Sequence, residues 1–197
     1  MQGSRLATVE RKTRETDVRI ELDLDGSGSY EIATGVPFFD HMLSHVAVHS
    51  LIDMRVSCQG DLAVDAHHSV EDVGIAMGQA LADAVGDKRG IARYGSQTLP
   101  MDEALATVSL DLSGRSLMVY RADIPCGRVG NFDTELVPEF LRAFAHNAGM
   151  TLHVAVMYGA NTHHMIEAVF KALGRALGQA LAYDARRAGI ASTKGVL

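Results

Sequence analysis

Tryptophan is missing from this chain of 197 residues, cysteine occurs twice and proline four times. Each scarcity excludes something. Cys58 and Cys126 lie far apart and fit no metal-ligand spacing, so neither a disulfide framework nor a thiolate metal site is expected, and a reducing cytoplasm is the default. Positive charge is not in excess: 18 Lys and Arg against 24 Asp and Glu give a net charge of −6, which argues against a general nucleic-acid binder but leaves room for a local basic pocket. No apolar run is long enough to span a membrane, and the opening "MQGSRLATVERKTRET" has no apolar h-region, so no signal peptide is expected. No GxxxxGK[ST] loop points to a nucleoside triphosphate. What is present, at 47% hydrophobic, suffices for one large domain or two small ones.

Against this plain background one motif occurs twice. "DAHHSVED" at 65–72 and "NTHHMIEA" at 161–168 each place two adjacent histidines three residues before a glutamate, in a chain with nine histidines. The surrounding pattern is readable. Val18, Ile20, Leu22 and Leu24 alternate with polar residues and predict one or two strands closed at Asp25-Gly26. "YEIATG" reads as a short strand, and Pro37 opens a helix with Phe38, Met42, His45 and His49 at helical spacing. "MRVSCQG" and "DLAVDA" suggest a hairpin about Gly60-Asp61, and "ALATVSLDLSGRSLMVYRAD" a second one turning near Ser113-Gly114. Both HHxxE motifs open long amphipathic helices, the first ended by Gly86. "TELVPEFLRAFAHNAG" predicts a helix stopped by Gly149, and "MTLHVAVMYG" a strand.

The order recurs. The stretch beginning at His41 reaches the first histidine of its pair at residue 67, and the stretch beginning at Glu139 reaches its own at residue 163. We read an internal duplication: residues 1–95 and 96–197 as two βα repeats, forming one α+β sandwich of pseudo-twofold symmetry, helices packed on mixed or antiparallel sheets.

Neighbouring helical residues point about 100° apart, whereas residues three or four apart share a face. So His68 with Glu71 can meet one ion while His67 reaches another, and likewise His164 with Glu167, and His163. Two metals follow, each bound by imidazole and carboxylate, a donor set that suits Mn, Fe, Zn or Ni. His41 and, by the repeat alignment, Glu139 are the natural additional ligands. His49 is a candidate for substrate contact. His45 and His146 read as packed histidines on apolar stripes. Lys88, Arg89 and Arg93 in "GDKRGIARYG", Arg115 in "LSGRS" and Ser192, Thr193 and Lys194 in "ASTKG" could together form a phosphate pocket.

"TGVPFFDHML", "DAHHSVEDVGIAMGQAL", "GDKRGIARYG", "PMDEALATVSLDLSGR", "FDTELVPEF", "NTHHMIEAVFKALGRAL" and "STKGVL" together resemble the imidazoleglycerol-phosphate dehydratases of histidine biosynthesis, from about residue 5 to the C-terminus. The resemblance implies the monofunctional form of the enzyme, a hydro-lyase converting imidazole-glycerol phosphate to imidazole-acetol phosphate. It implies two manganese ions per subunit, and trimers that assemble with metal into a shell of twenty-four. Residue by residue, it implies one metal held by His41, His68, Glu71 and His163, and another by His67, His164, Glu167 and a ligand at Glu139, where some members carry histidine. His41, His49, His67, His68, His163, Arg93, Arg115, Ser192, Lys194 and Glu15 fall at substrate-contact positions. The catalytic carboxylates are expected among Glu15, Glu71 and Glu167, with Glu15 suited to the carbon proton. Two rivals are a binuclear metallohydrolase, which usually carries a D-x-H or H-x-H-x-D setting absent here, and a ferritin-like store, which needs four long ExxH helices rather than strands.

Overall fold

A computed structural model describes residues 4–197. Its first half runs β1 (Leu6–Lys12), β2 (Thr16–Asp23), β3 (Tyr30–Ala33), α1 (Pro37–Ser50), β4 (Asp53–Gly60) and α2 (His67–Val85). The second runs β5 (Tyr94–Met101), β6 (Ala104–Asp111), β7 (Leu117–Arg121), a small ribbon of β8 (Arg128–Val129) and β9 (Phe132–Asp133), then α3 (Leu136–Asn147), β10 (Thr151–Tyr158) and α4 (Thr162–Leu181). Two four-stranded sheets result, ordered β1-β2-β4-β3 and β5-β6-β10-β7. In each, the strand before the second long helix is inserted between two earlier strands, antiparallel to one and parallel to the other. The expected division at residue 95 falls inside β5.

Period-two burial does what the sequence suggests. Val18, Ile20, Leu22 and Leu24 turn inward and are buried, while Arg19 and Glu21 form an ion pair on the outer face. The inward faces of both sheets meet the helices, which form the middle of the sandwich: α2 lies on β1 and β2, α4 on β5 and β6, and the halves join where α2 packs on α3 and α1 on α4. Glycine sets these crossings. A Cβ on Gly78 would stand 2.6 Å from the Phe144 carbonyl oxygen, and one on Gly174 would stand 2.9 Å from that of Val46. Both sit eleven residues after the first histidine of their pair. A core of phenylalanines lies between: the Phe140 ring centroid is 5.1 Å from Phe39, 5.8 Å from Phe144 and 5.6 Å from Phe170.

Two expected hairpins are absent. After β4 the chain makes a turn rather than a strand, with Val64 N–H donating to the Asp61 carbonyl at 2.8 Å. Leu62 and Val64 are exposed, so "DLAVDA" buries no alternating face. Nor do β6 and β7 pair. Thr151 of β10 sits opposite both Asp111 and Leu117, so the Ser113-Gly114 loop steps over an inserted strand. The missed strand β5 has one buried residue, Gly95, on which α4 lies directly: an added Cβ would meet the Ala176 carbonyl oxygen at 1.9 Å.

Candidate metal centres

Both HHxxE motifs sit at helix N-termini, where Ala66 and Asn161 occupy the capping positions. Asn161 caps α4 with its side chain, accepting from His163 N–H at 2.9 Å and from His164 N–H at 3.4 Å. The glutamate turns toward the first histidine of each pair, not the second: His163 Nε2 lies 3.1 Å from Glu167 Oε2, and His67 Nε2 lies 4.0 Å from Glu71 Oε2. Within one chain, then, the glutamate neighbours the first histidine of its pair. Four residues advance a helix by about 40° beyond a full turn, closer alignment than three residues give.

At the α1/α4 junction the donors converge. His41 Nε2 is 3.6 Å from Glu167 Oε2, and His45 Nε2 is 3.4 Å from Glu167 Oε1. The two imidazole Nε2 atoms are 3.3 Å apart. His163 sits edge-on to Phe38 with centroids 5.0 Å apart, which limits its ring orientation. Metal–nitrogen and metal–oxygen bonds of about 2.1 Å place such atoms within reach of one ion. Lys171 Nζ lies 2.6 Å from Glu167 Oε1. Burial alone pushes the Glu167 carboxyl up, but Lys171, His45 and His163 outweigh it and hold it below its ordinary range. Burial pushes His45 down to about 4, so it is neutral and carries a free nitrogen near neutral pH. His45, read from the sequence as a packed histidine, is half-buried and also stands near Glu167; the four-residue spacing from His41 is what brings the two rings together. His41 and His163 thus meet Glu167, not Glu71, within one chain.

The second histidines face elsewhere. His68 Nδ1 is 3.0 Å from Asp61 Oδ2, and its Nε2 is 3.8 Å from Glu15 Oε2. His164 Nδ1 is 2.7 Å from Glu103 Oε2, and its Nε2 is 3.9 Å from Asp102. The hydrogen bonds to Asp61 and Glu103 raise the two histidines' pKa values, and the bond from His164 helps hold Glu103 near 2. A carboxylate on Nδ1 fixes the tautomer that leaves Nε2 free as a ligand. Glu15 stands in the turn between β1 and β2, its carbonyl accepting from Asp61 N–H at 3.1 Å. Glu139, on α3, pairs with Arg142 at 2.5 Å; that hydrogen bond raises the guanidinium's pKa, and Glu71 adds to the effect.

The basic candidates gather at the opposite end of α4. Arg93, buried and with φ of 74°, donates through Nε and Nη2 to Asp111 at 2.6 and 2.9 Å, and through Nη1 to the Ala191 carbonyl at 2.5 Å. Its backbone N–H donates to the Ala180 carbonyl at 2.8 Å. Arg115 is exposed, 3.9 Å from Asp111. Ser192 and Lys194 follow in the tail, where Lys194 N–H donates to Ser192 Oγ at 3.2 Å. His49 lies beside Gly174, midway along. His146 and His153 are exposed, and the His146 carbonyl accepts from Ser116 Oγ, next to Arg115, at 2.7 Å.

Comparison with known proteins bears on this arrangement. The imidazoleglycerol-phosphate dehydratase family profile matches residues 34–177. Relatives so named from Syntrophobacter fumaroxidans and Thermoanaerobacter pseudethanolicus are 57% and 58% identical, covering 100% and 98% of this chain and 100% of their own lengths. The solved dehydratase of Staphylococcus aureus superposes with a TM-score of 0.83 at 42% identity, covering 91% of this chain and 99% of its own. That of Pyrococcus furiosus, in complex with (S)-C348, gives 0.83 at 35%, covering 96% and 100%. Paired imidazole–carboxylate groups on a duplicated helix–sheet frame, with likeness over the whole length, make this chain a member of the imidazoleglycerol-phosphate dehydratase family of hydro-lyases.

Proposed function

We propose that the chain converts imidazole-glycerol phosphate to imidazole-acetol phosphate and needs two divalent ions, Mn²⁺ being the expected one. The observation that carries the metal reading is the convergence of His41, His45 and Glu167 donor atoms within 4.8 Å of one another. His41, His68, Glu71 and His163 would hold one ion; His67, His164, Glu167 and Glu139 would hold the other. His68 and His164, whose Nε2 atoms face away from the glutamate of their own pair, would complete these sites from a neighbouring copy. Bound to the substrate imidazole, the ions would favour its deprotonated form and so ease loss of the hydroxyl.

The chain's own groups divide the remaining work. Glu15, exposed beside His68, would take the carbon proton. Arg115, Ser192 and Lys194 would serve the phosphate, and His49 would contact the substrate nearer the ions. Arg93, with three nitrogens engaged, orders Asp111 and the tail around that pocket.

Distance supports an oligomer. His163 and Ala180 stand seventeen residues apart on α4, about 25 Å along a helix. That exceeds the reach of a molecule made of an imidazole ring, a three-carbon chain and a phosphate. This supports a site in which the metal end of one copy meets the basic end of another, as in metal-dependent trimers and a larger shell. No helix among the described residues is long and apolar enough to cross a membrane, and a cytoplasmic setting accords with two unpaired cysteines. The test is formation of imidazole-acetol phosphate by metal-free protein with and without added Mn²⁺. Turnover that ignores chelation and re-addition counts against the metal reading. Release of inorganic phosphate in place of that product favours a hydrolase.

A further inference from the structure

The turn that carries Glu15 is fastened from outside. Within it, Thr13 N–H donates to the Thr16 carbonyl at 2.9 Å, and Thr13 Oγ1 accepts from the Glu15 and Thr16 N–H groups at 3.0 Å each. Outside it, Asp72 of α2 is buried and grips both strands that the turn joins. Its Oδ1 accepts from Arg11 Nε of β1 at 2.9 Å, and its Oδ2 accepts from Thr16 Oγ1 of β2, itself buried. Asp72 stands four residues after His68, so one face of α2 carries both this clamp and the imidazole that Glu15 faces at 3.8 Å. The Glu15 carboxylate is half-exposed and makes no hydrogen bond to another side chain among the described residues.

The second repeat shows that the helix–sheet frame does not require a carboxylate at this place. In the repeat alignment Asp72 falls on Ala168, fully buried in α4. There the β5–β6 turn is fastened by its own Glu103, which accepts from the Ala160 and Asn161 N–H groups and so commits its carboxylate to the fold. In the first repeat the tie comes from the helix instead, and the turn's carboxylate stays free. A buried carboxylate that packing does not need, bonded to both ends of one turn, has the placement of that turn as its consequence.

Resting on the reading of Glu15 as the group that takes the carbon proton, we infer that Asp72 is the positioning residue for Glu15: through Arg11 and Thr16 it holds the β1–β2 turn so that the carboxylate reaches the substrate. A misplacement of about 1 Å in such a group costs on the order of 100-fold in rate. In Mn²⁺-loaded protein, Asp72→Ala should lower kcat roughly 10- to 100-fold, with KM and metal content little changed. Thr16→Val, nearly isosteric, should reproduce the loss in part and carries the same test should Asp72→Ala fail to fold; Thr16→Ser, which keeps the hydroxyl, should recover it. The deciding measurement is either variant in the Glu15→Gln background, where it should lower kcat no further, because residues acting as a unit fail to add. Hydrogen–deuterium exchange of the metal-free protein gives a reading apart from turnover. Asp72→Ala should speed exchange at residues 13–16 about tenfold and leave α2 unchanged. An unchanged kcat in both variants, equal losses with and without Glu15, loss of bound metal, or unaltered exchange in the turn overturns the inference alone. If Glu15→Gln itself keeps the wild-type kcat, the inference falls together with the reading of Glu15.

Discussion

Glu103 holds His164 through Nδ1 at 2.7 Å while its other oxygen accepts from the backbone N–H groups of Ala160 and Asn161 at 3.1 and 2.7 Å. One carboxylate thus ties the β5–β6 turn to the start of α4 and sets the tautomer of a candidate ligand. Removing it as Glu103→Ala should weaken metal binding about 10- to 100-fold, read by competition with a chromogenic chelator. The Glu103 pKa, depressed to about 2 with the His164 hydrogen bond as the first cause, also fixes a sign. Its stabilising effect is fully present above the ordinary value of 4.5 and declines as pH falls toward 2. The melting-temperature gap between wild-type and Glu103→Ala apo protein should therefore shrink from pH 6 to pH 3. A constant gap contradicts the pairing.

His68→Ala and His164→Ala should each abolish turnover and lower metal content, because each removes an Nε2 that a carboxylate on Nδ1 has oriented. His146→Ala, exposed on α3 and outside the expected ligand sets, serves as the control and should change neither. Elemental analysis beside the assay decides, and full metal occupancy in both pair variants would remove these histidines from the sites.

Assembly should follow metal. Ligands drawn from two copies bind only the associated state, so an ion shifts the equilibrium toward it by mass action. Light scattering of chelated and Mn²⁺-loaded protein should show a small oligomer growing into a large one. A mass indifferent to metal rules this out.

Glu139 is separable from its neighbours. Glu139→Ala should lose about one ion per subunit, and Glu139→His should retain two, since both side chains bind Mn²⁺. If Glu139 serves only its ion pair with Arg142, Glu139→Ala keeps both ions, and metal counting shows it.

The position of Glu139 depends on the residue beside it. Phe140 is fully buried among Phe39, Phe144 and Phe170. Phe140→Ala should cost about 3–5 kcal/mol of stability by the loss of transfer energy and the cavity left behind. Urea denaturation of the metal-free protein measures this, and a loss below about 1 kcal/mol would mean that the helix layer closes over the gap.

Local order was legible in the sequence where local chemistry decides it. Val18, Ile20 and Leu22 alternate because one face of β2 is buried, Pro37 opens α1 because its missing N–H is spare in a first turn, and the paired histidines mark the starts of α2 and α4. What escaped was non-local. Nothing between Ala104 and Arg121 announces that Thr151–Tyr158 will insert between β6 and β7. "YGSQTLPM" lacks an apolar alternation because the helix above it rests on Gly95 and needs no side chain there. At the metal centres the repeated motif was legible, but the side-chain neighbours within one chain were not: only the packed helices bring His45 of α1 beside Glu167 of α4.

The insertion of β10 also governs the order of events on the ribosome. Strands β6 and β7 emerge well before the strand that joins them, so the second sheet stays open until residues 151–158 are made. Until α3 and α4 follow, the faces of α2 and α1 that these helices cover stay exposed on the nascent chain. Contacts of such long sequence separation slow the search for the native state and lengthen the exposure of sticky intermediates. Slow refolding from urea and a strong benefit from chaperones that shield apolar surface are the expected price of placing the last strand in the middle of its sheet.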